Sequence, residues 1–238
     1  MKLSFLIPVY NESRTLPLIL DKLDRPEMKT ELGVEMEMIF VDDGSTDDTG
    51  RILNEWMGDR PNVRFARHDR NRGKGAAIRT ALELATGDVV IIQDADLEYE
   101  PMDIPHLMKP ILEGRADVVF GSRNLTHNPR FSRVYYWGNM FLNAAVLILY
   151  GRYVSDMETC YKLMRRTIAL DLDIRSNGFD IEPEMTAKLL RRGHPIVEIP
   201  IRYRPRTRAE GKKITAWDGI RALRALIYWR FMPISRSS

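Results

Sequence analysis

Apolar runs of strand length alternate with helix-period stretches over the first half of the chain, the pattern of a parallel sheet with crossover helices. Leu3–Val9 reads as a strand, and Glu12–Leu23 carries Leu16, Leu18, Ile19, Leu20 and Leu23 at helical spacing. Met36–Val41 is a second strand that ends in Asp42-Asp43-Gly44-Ser45, after which Asp47 and Asp48 open a helix running to Trp56. Acidic residues suit that position, at the positive end of the helix dipole. Val63–Arg67 is a third strand, Gly73–Ala85 a helix entered through glycines, and Asp88–Gln93 a fully apolar fourth strand bounded by Gly87 and Asp94.

The second half is less regular. The pattern predicts a helix over Asp103–Leu112, a buried strand over Asp117–Gly121 and an aromatic-rich helix over Phe131–Leu149. Strands over Thr159–Met164 and Ile196–Tyr203 flank a helix over Glu182–Arg192, and a last helix spans Ile214 to about Phe231. The fold class expected is α/β, with a mostly parallel central sheet flanked by helices.

The 238 residues and 44% hydrophobic content fit one large domain with a real core. Residues 1–213 are expected to form the main body. Residues 214–238 are expected to form a basic amphipathic helix, either separate or packed on the same body. The single cysteine, Cys160, rules out an internal disulfide framework and a cysteine-built zinc site, and suits a reducing cytosol. Pro8, Asn11 and Glu12 break the first apolar run, so it reads as a buried strand rather than a leader. No later run approaches the ~20 apolar residues of a spanning helix, so no transmembrane segment is expected.

Net charge is only +3, but from Arg202 onward ten basic residues face only Glu210 and Asp218. Such a stretch seeks phosphate, a membrane surface or another polyanion.

Asp94-Ala95-Asp96 follows directly on a strand. On an extended backbone residues two apart face the same way, so both carboxylates converge and Glu98 continues the face. Magnesium takes one or two protein carboxylates and completes its shell with substrate phosphates and water. An isolated Asp-x-Asp is more readily a helix cap with turn acids, but here a second acidic loop, Asp42-Asp43, lies at another strand end, where open α/β sheets hold ligands. Asp42 and Asp43 there suit base N–H groups or ribose hydroxyls. Arg70-Asn71-Arg72-Gly73-Lys74-Gly75 precedes a helix. Its glycines would let the backbone approach a phosphate, with Lys74 adding a point charge. It is not a P-loop, because no Ser or Thr follows the lysine, and no Gly-x-Gly-x-x-Gly follows the first strand.

Together, Pro8-Val9-Tyr10-Asn11-Glu12, Val41-Asp42-Asp43-Gly44-Ser45-Thr46-Asp47, Asn71-Arg72-Gly73-Lys74-Gly75 and Asp94-Ala95-Asp96-Leu97-Glu98-Tyr99 resemble the motifs of family 2 glycosyltransferases in order and spacing. Phe120-Gly121-Ser122-Arg123, Gly178-Phe179-Asp180-Ile181-Glu182 and Gly211-Lys212-Lys213-Ile214 resemble the polyprenyl-phosphate branch, which includes dolichyl-phosphate mannose and glucose synthases. The resemblance implies a GT-A fold, a UDP- or GDP-hexose donor, Mg2+ or Mn2+ and inversion at the anomeric carbon. It places Pro8, Tyr10, Glu12 and Asp42 at the nucleoside, Asp94, Asp96 and Glu98 on the metal, and Arg123 at the acceptor phosphate. Arg206 and Lys213 would reach phosphates, with Arg133 a further acceptor-side candidate, and Asp96 and Arg123 would carry catalysis.

The resemblance therefore implies hexose transfer to a polyprenyl phosphate at the cytosolic membrane face, by a protein held peripherally rather than by a span. Two other readings stay open. One is transfer to a soluble hydroxyl acceptor, which needs a carboxylate base such as Asp156, Glu158, Asp180 or Glu182. The other is a non-catalytic protein binding nucleotide sugars or a polyanion. The acidic triad argues against a nucleic-acid partner. His68, His106, His127 and His194 are isolated and receive no role.

Overall fold

Lys2–Val9 forms the first strand, β1, and every residue from Leu3 to Ile7 is buried. A strand covered on both faces reads as a continuous apolar run, which is how β1 was legible. The computed structural model describes residues 1–129, 133–206 and 216–234. Six more strands follow: β2 (Glu35–Asp42), β3 (Val63–Arg67), β4 (Val89–Ile92), β5 (Val118–Ser122), β6 (Lys162–Arg165) and β7 (Val197–Pro200). They make one sheet in the order β3-β2-β1-β4-β6-β5-β7. All neighbours are parallel except β6, which runs antiparallel to β4 and β5. The mostly parallel α/β sheet expected from the pattern is what the chain forms.

Helices cover the sheet: α1 (Leu16–Asp24), α2 (Pro26–Leu32), α3 (Thr49–Met57), α4 (Lys74–Leu84), α5 (Ile104–Leu112), α6 (Arg133–Tyr150), α7 (Arg166–Asp171), α8 (Ile181–Arg191) and α9 (Ala216–Phe231). The short α2 and α7 have no counterpart in the sequence reading. The first helix begins at Leu16, not Glu12, because the intervening residues turn, with Asn11 at φ 51°. The strand expected from Thr159 begins only at Lys162, because the Lys162 amide donates to the Cys160 carbonyl at 2.7 Å and closes a turn there.

The last helix is built into the body. Ala222, Leu226 and Trp229 are buried, the Tyr150 hydroxyl donates to the Leu226 carbonyl at 2.6 Å, and the Lys188 ammonium stands 3.8 Å from the Trp229 ring centre. Its other face is open to solvent: Trp217 is 70% exposed and Phe231 74%. Among the described residues, no helix is long and apolar enough to cross a membrane.

Candidate functional site

The carboxyl ends of β1, β2 and β4 lie side by side, because Val9 pairs with Asp42 and Leu6 with Ile92 in parallel register. At that edge a cleft of about 1730 Å³ opens. Pro8, Tyr10, Glu12, Asp43, Lys74, Asp94, Asp96, Glu98, Arg123 and Arg206 all line it. Phe141 of α6 and Ile220 and Leu223 of α9 continue the same wall.

The acidic loop departs from the extended geometry expected of it. β4 stops at Ile92, the Glu98 amide donates to Asp96 Oδ1 at 3.1 Å, and Leu97 adopts φ 63°. A left-handed residue turns the chain, so the alternation that would align Glu98 with Asp94 and Asp96 is lost. Glu98 faces the segment before α9 instead: the Tyr203 hydroxyl donates to its Oε2 at 2.9 Å and the Arg206 amide to its Oε1 at 2.7 Å. Among the described residues, no three His, Cys, Asp or Glu side chains are arranged to hold a metal.

Asp96 stays in the cleft, where Arg206 Nη2 reaches its Oδ2 at 2.8 Å and Arg206 Nη1 reaches Glu12 Oε2 at 3.2 Å. Burial pushes the Asp96 carboxyl up to about 7, with Asp94 and Glu98 raising it further and Arg206 opposing them. Crowded carboxylates repel one another unless a positive charge stands between them. The carboxylate oxygens of Asp94 and Asp96 are the kind of donor a hard divalent cation such as Mg2+ or Mn2+ takes, and such a cation would compete for them with Lys74 and Arg206.

Of the paired acids at the end of β2, only Asp43, just past the strand, lines the cleft. Adjacent residues at a strand end point to opposite faces. Asp42 is buried behind it, accepting from the Ser45 amide at 2.8 Å and facing Arg67 Nε at 3.3 Å. Asp43 accepts from the Arg72 and Gly73 amides at 2.9 and 2.7 Å and meets His68 Nδ1 at 2.6 Å. Asp43 thus anchors the Asn71–Gly75 loop, and His68 has a structural part that its isolation in sequence concealed.

The glycines of that loop serve protein packing. A Cβ on Gly73 or Gly75 would collide with the carbonyl of Asn177 or Ser176, and the Gly75 amide donates to the Asn177 carbonyl at 2.7 Å. Lys74, expected to meet phosphate, pairs with Asp94 at 2.9 Å and Glu182 at 3.2 Å. Burial works against its charge, yet those acids hold its pKa well above the ordinary range.

Arg123, at the end of β5, forks onto the buried carboxylate of Asp156: Nε donates to Oδ2 and Nη2 to Oδ1, both at 2.7 Å. The Arg123 amide adds a third bond at 2.9 Å and Asn139 Nδ2 a fourth at 3.2 Å. The Asp156 loop is itself held by Glu198 of β7, which accepts from the Ser155 amide and hydroxyl. Arg133 begins α6, but its side chain, like Lys213, lies outside the described residues. The sequence reading missed Asn139 and Tyr203, whose roles depend on contacts far apart in the chain.

The family model described as Glycosyl transferase family 2 matches residues 4–172. The chain is 37% identical over 166 residues to an undecaprenyl-phosphate 4-deoxy-4-formamido-L-arabinose transferase of Pseudomonas fluorescens, covering 69% of this chain and 47% of that relative. It is 30% identical over 225 residues to an undecaprenyl-phosphate mannosyltransferase of Micrococcus luteus, covering 89% and 87%. Among solved structures, the glucosyl-3-phosphoglycerate synthase of Mycobacterium tuberculosis, in complex with Mn2+, UDP-glucose and phosphoglyceric acid, superposes with a TM-score of 0.73 at 21% identity. That likeness covers 98% of this chain and 80% of the other, and it shows a shared GT-A-like fold. On the family match and these relatives together, the chain belongs to glycosyl transferase family 2 and is a glycosyltransferase.

Proposed function

We propose that the protein transfers a hexose from a UDP- or GDP-sugar to a polyprenyl phosphate at the cytosolic face of a membrane, with inversion at the anomeric carbon. The observation that carries this reading is the continuity of the cleft, which runs from Asp94 and Asp96 to Phe141, Ile220 and Leu223. A polyprenyl phosphate needs both ends of such a cleft, polar for its head and apolar for its chain. The names of the Pseudomonas and Micrococcus relatives support the same acceptor class.

In this reading Asp94 and Asp96 would hold Mg2+ or Mn2+, which supplies charge neutralisation for the leaving nucleoside diphosphate. Pro8, Tyr10 and Glu12 border the nucleoside. Asp156 engages Nε and Nη2 of Arg123, so an acceptor phosphate would meet Nη1. A phosphate monoester, with a second pKa of about 6, is already largely dianionic at neutrality. It needs no base, and the protein's part is positioning and charge stabilisation. Apolar side chains exposed on α6 and α9, including Trp137, Ile148, Trp217 and Phe231, with Arg221, Arg224 and Arg230 on α9, suit peripheral attachment to an anionic membrane.

A second reading, transfer to a soluble hydroxyl acceptor, has one observation in its favour. Glu158 lines the cleft with its carboxyl pushed up to about 7, mainly by burial. Incubation with labelled UDP-glucose or GDP-mannose and Mn2+, with and without farnesyl phosphate, separates the two. Acceptor-dependent product that extracts into organic solvent supports the first. Product formed only with soluble acceptors overturns it.

A further inference from the structure

Buried polar oxygens that accept no hydrogen bond are rare in folded proteins, and each calls for a partner. Among the described residues, Asn139 Oδ1, Glu158 Oε1 and Glu182 Oε1 make none, and all three residues line the cleft. They come from separate elements: α6, the loop before β6, and α8. Asn139 already spends its amide N–H on Asp156 at 3.2 Å, which fixes its carbonyl oxygen. Glu182, only 3% exposed, gives its Oε2 to the Lys162 ammonium, while its Oε1 meets Lys74 at 3.2 Å outside hydrogen-bond geometry.

Asn139 Oδ1 and Glu158 Oε1 have no donor, Glu182 Oε1 has only the ammonium of Lys74 outside hydrogen-bond geometry, and the chemistry of these atoms selects what can join them. All three are acceptor oxygens, and a phosphate dianion, which offers acceptors only, cannot satisfy them. Hydroxyl groups donate hydrogen bonds without adding charge.

We propose that Glu158 reads the hydroxyls of the sugar being transferred, with Asn139 and Glu182 completing a pocket for a neutral polyhydroxylated ring. This inference rests on the nucleotide-sugar donor and is independent of the acceptor. The ionisation of Glu158 agrees with it. Burial pushes the carboxyl up, Lys162 and Arg123 pull it down, Glu182 and Asp156 raise it, and the balance falls at about 7. Such a group accepts from a hydroxyl when ionised and donates to one when protonated.

The test is calorimetric titration without any acceptor, in Mn2+. The ligands are UDP, GDP, UDP-glucose and GDP-mannose, then the singly deoxygenated analogues of the tighter hexose nucleotide. A hydrogen bond to a charged partner is worth roughly 10- to 100-fold in affinity. At least one deoxy analogue is therefore expected to bind the wild type weaker by that factor. Glu158→Ala should lose the discrimination against that analogue while binding bare UDP or GDP as the wild type does. Glu158→Gln, which keeps an acceptor oxygen, should retain part of it.

The same deoxy penalty in wild type and Glu158→Ala overturns the proposal. So does equal weakening of the bare nucleotide, or a hexose nucleotide that binds no tighter than its diphosphate. A base serving a hydroxyl acceptor would alter turnover without moving this acceptor-free discrimination. Failure of the polyprenyl-phosphate reading would show as missing lipid-extractable product and would leave these titrations unchanged.

Discussion

Replacing Asp156 by Asn keeps the size of the side chain and removes its charge, leaving the largely buried Arg123 guanidinium against an amide. The carboxylate is fully buried and accepts four hydrogen bonds, three from Arg123 and one from Asn139. An asparagine has one acceptor oxygen, so its NH2 end must face donors that the second oxygen now satisfies. Breaking a buried ion pair by removing one partner costs about 3–5 kcal/mol, most of it from the charge left behind. For a chain of this size that corresponds to a fall in Tm of roughly 6–20 °C. Thermal and urea unfolding of wild type, Asp156→Asn, Arg123→Met and the double variant measure both the loss and the coupling. The double variant should recover part of the stability, because it leaves no unpaired charge. A loss below about 1 kcal/mol for Asp156→Asn would mean that the pair is effectively solvated and that Asp156 does not order Arg123.

Three further outcomes follow from the structure. Burial pushes the Glu37 carboxyl up, but the Lys2 ammonium, the Ser4 hydroxyl and the Thr86 amide and hydroxyl outweigh it and hold the pKa at about 2, against an ordinary 4.5. That depressed pKa gives stability of up to ~3 kcal/mol that is fully present above about pH 4.5 and lost as pH falls toward 2. The urea-unfolding gap between wild type and Glu37→Gln should therefore narrow on going from pH 6 to pH 3. Gly75→Ala drives a methyl group into the Ser176 carbonyl, and unfolding should show a loss of about 1–3 kcal/mol. Trp217→Glu with Phe231→Glu changes exposed side chains and should leave Tm within a few degrees while abolishing low-salt cosedimentation with anionic liposomes. Retained cosedimentation would remove α9 from the membrane contact.

What could be read in advance follows the range of the interactions. β1 and β4 were legible because local apolar runs set them. The insertion of antiparallel β6 between β4 and β5 was not, since its register pairs Val118 with Met164 and Val90 with Met164 across long stretches of chain. The Asp94-Ala95-Asp96 loop lines the cleft. The direction of Glu98 turned on one left-handed residue, Leu97, that no periodicity announces. Alternation could say that Asp42 and Asp43 diverge, but not which of them faces the cleft. Arg123 was singled out by the resemblance of Phe120-Gly121-Ser122-Arg123 to a family motif, whereas its partner Asp156 lies 33 positions away. Lys74 and the glycines beside it drew attention as a phosphate loop, yet their contacts are with Asp94, Glu182 and the backbone of Ser176 and Asn177.

In the proposed function Asp94 and Asp96 would hold the metal ion beside the donor diphosphate. Calorimetric titration of UDP and GDP, with Mn2+ and with chelator, into wild type and Asp96→Ala tests it directly. The wild type should bind its nucleotide more tightly with Mn2+, and the variant should lose that gain while unfolding as cooperatively as the wild type. An equal Mn2+ effect in both proteins would contradict the claim and remove Asp96 from the site.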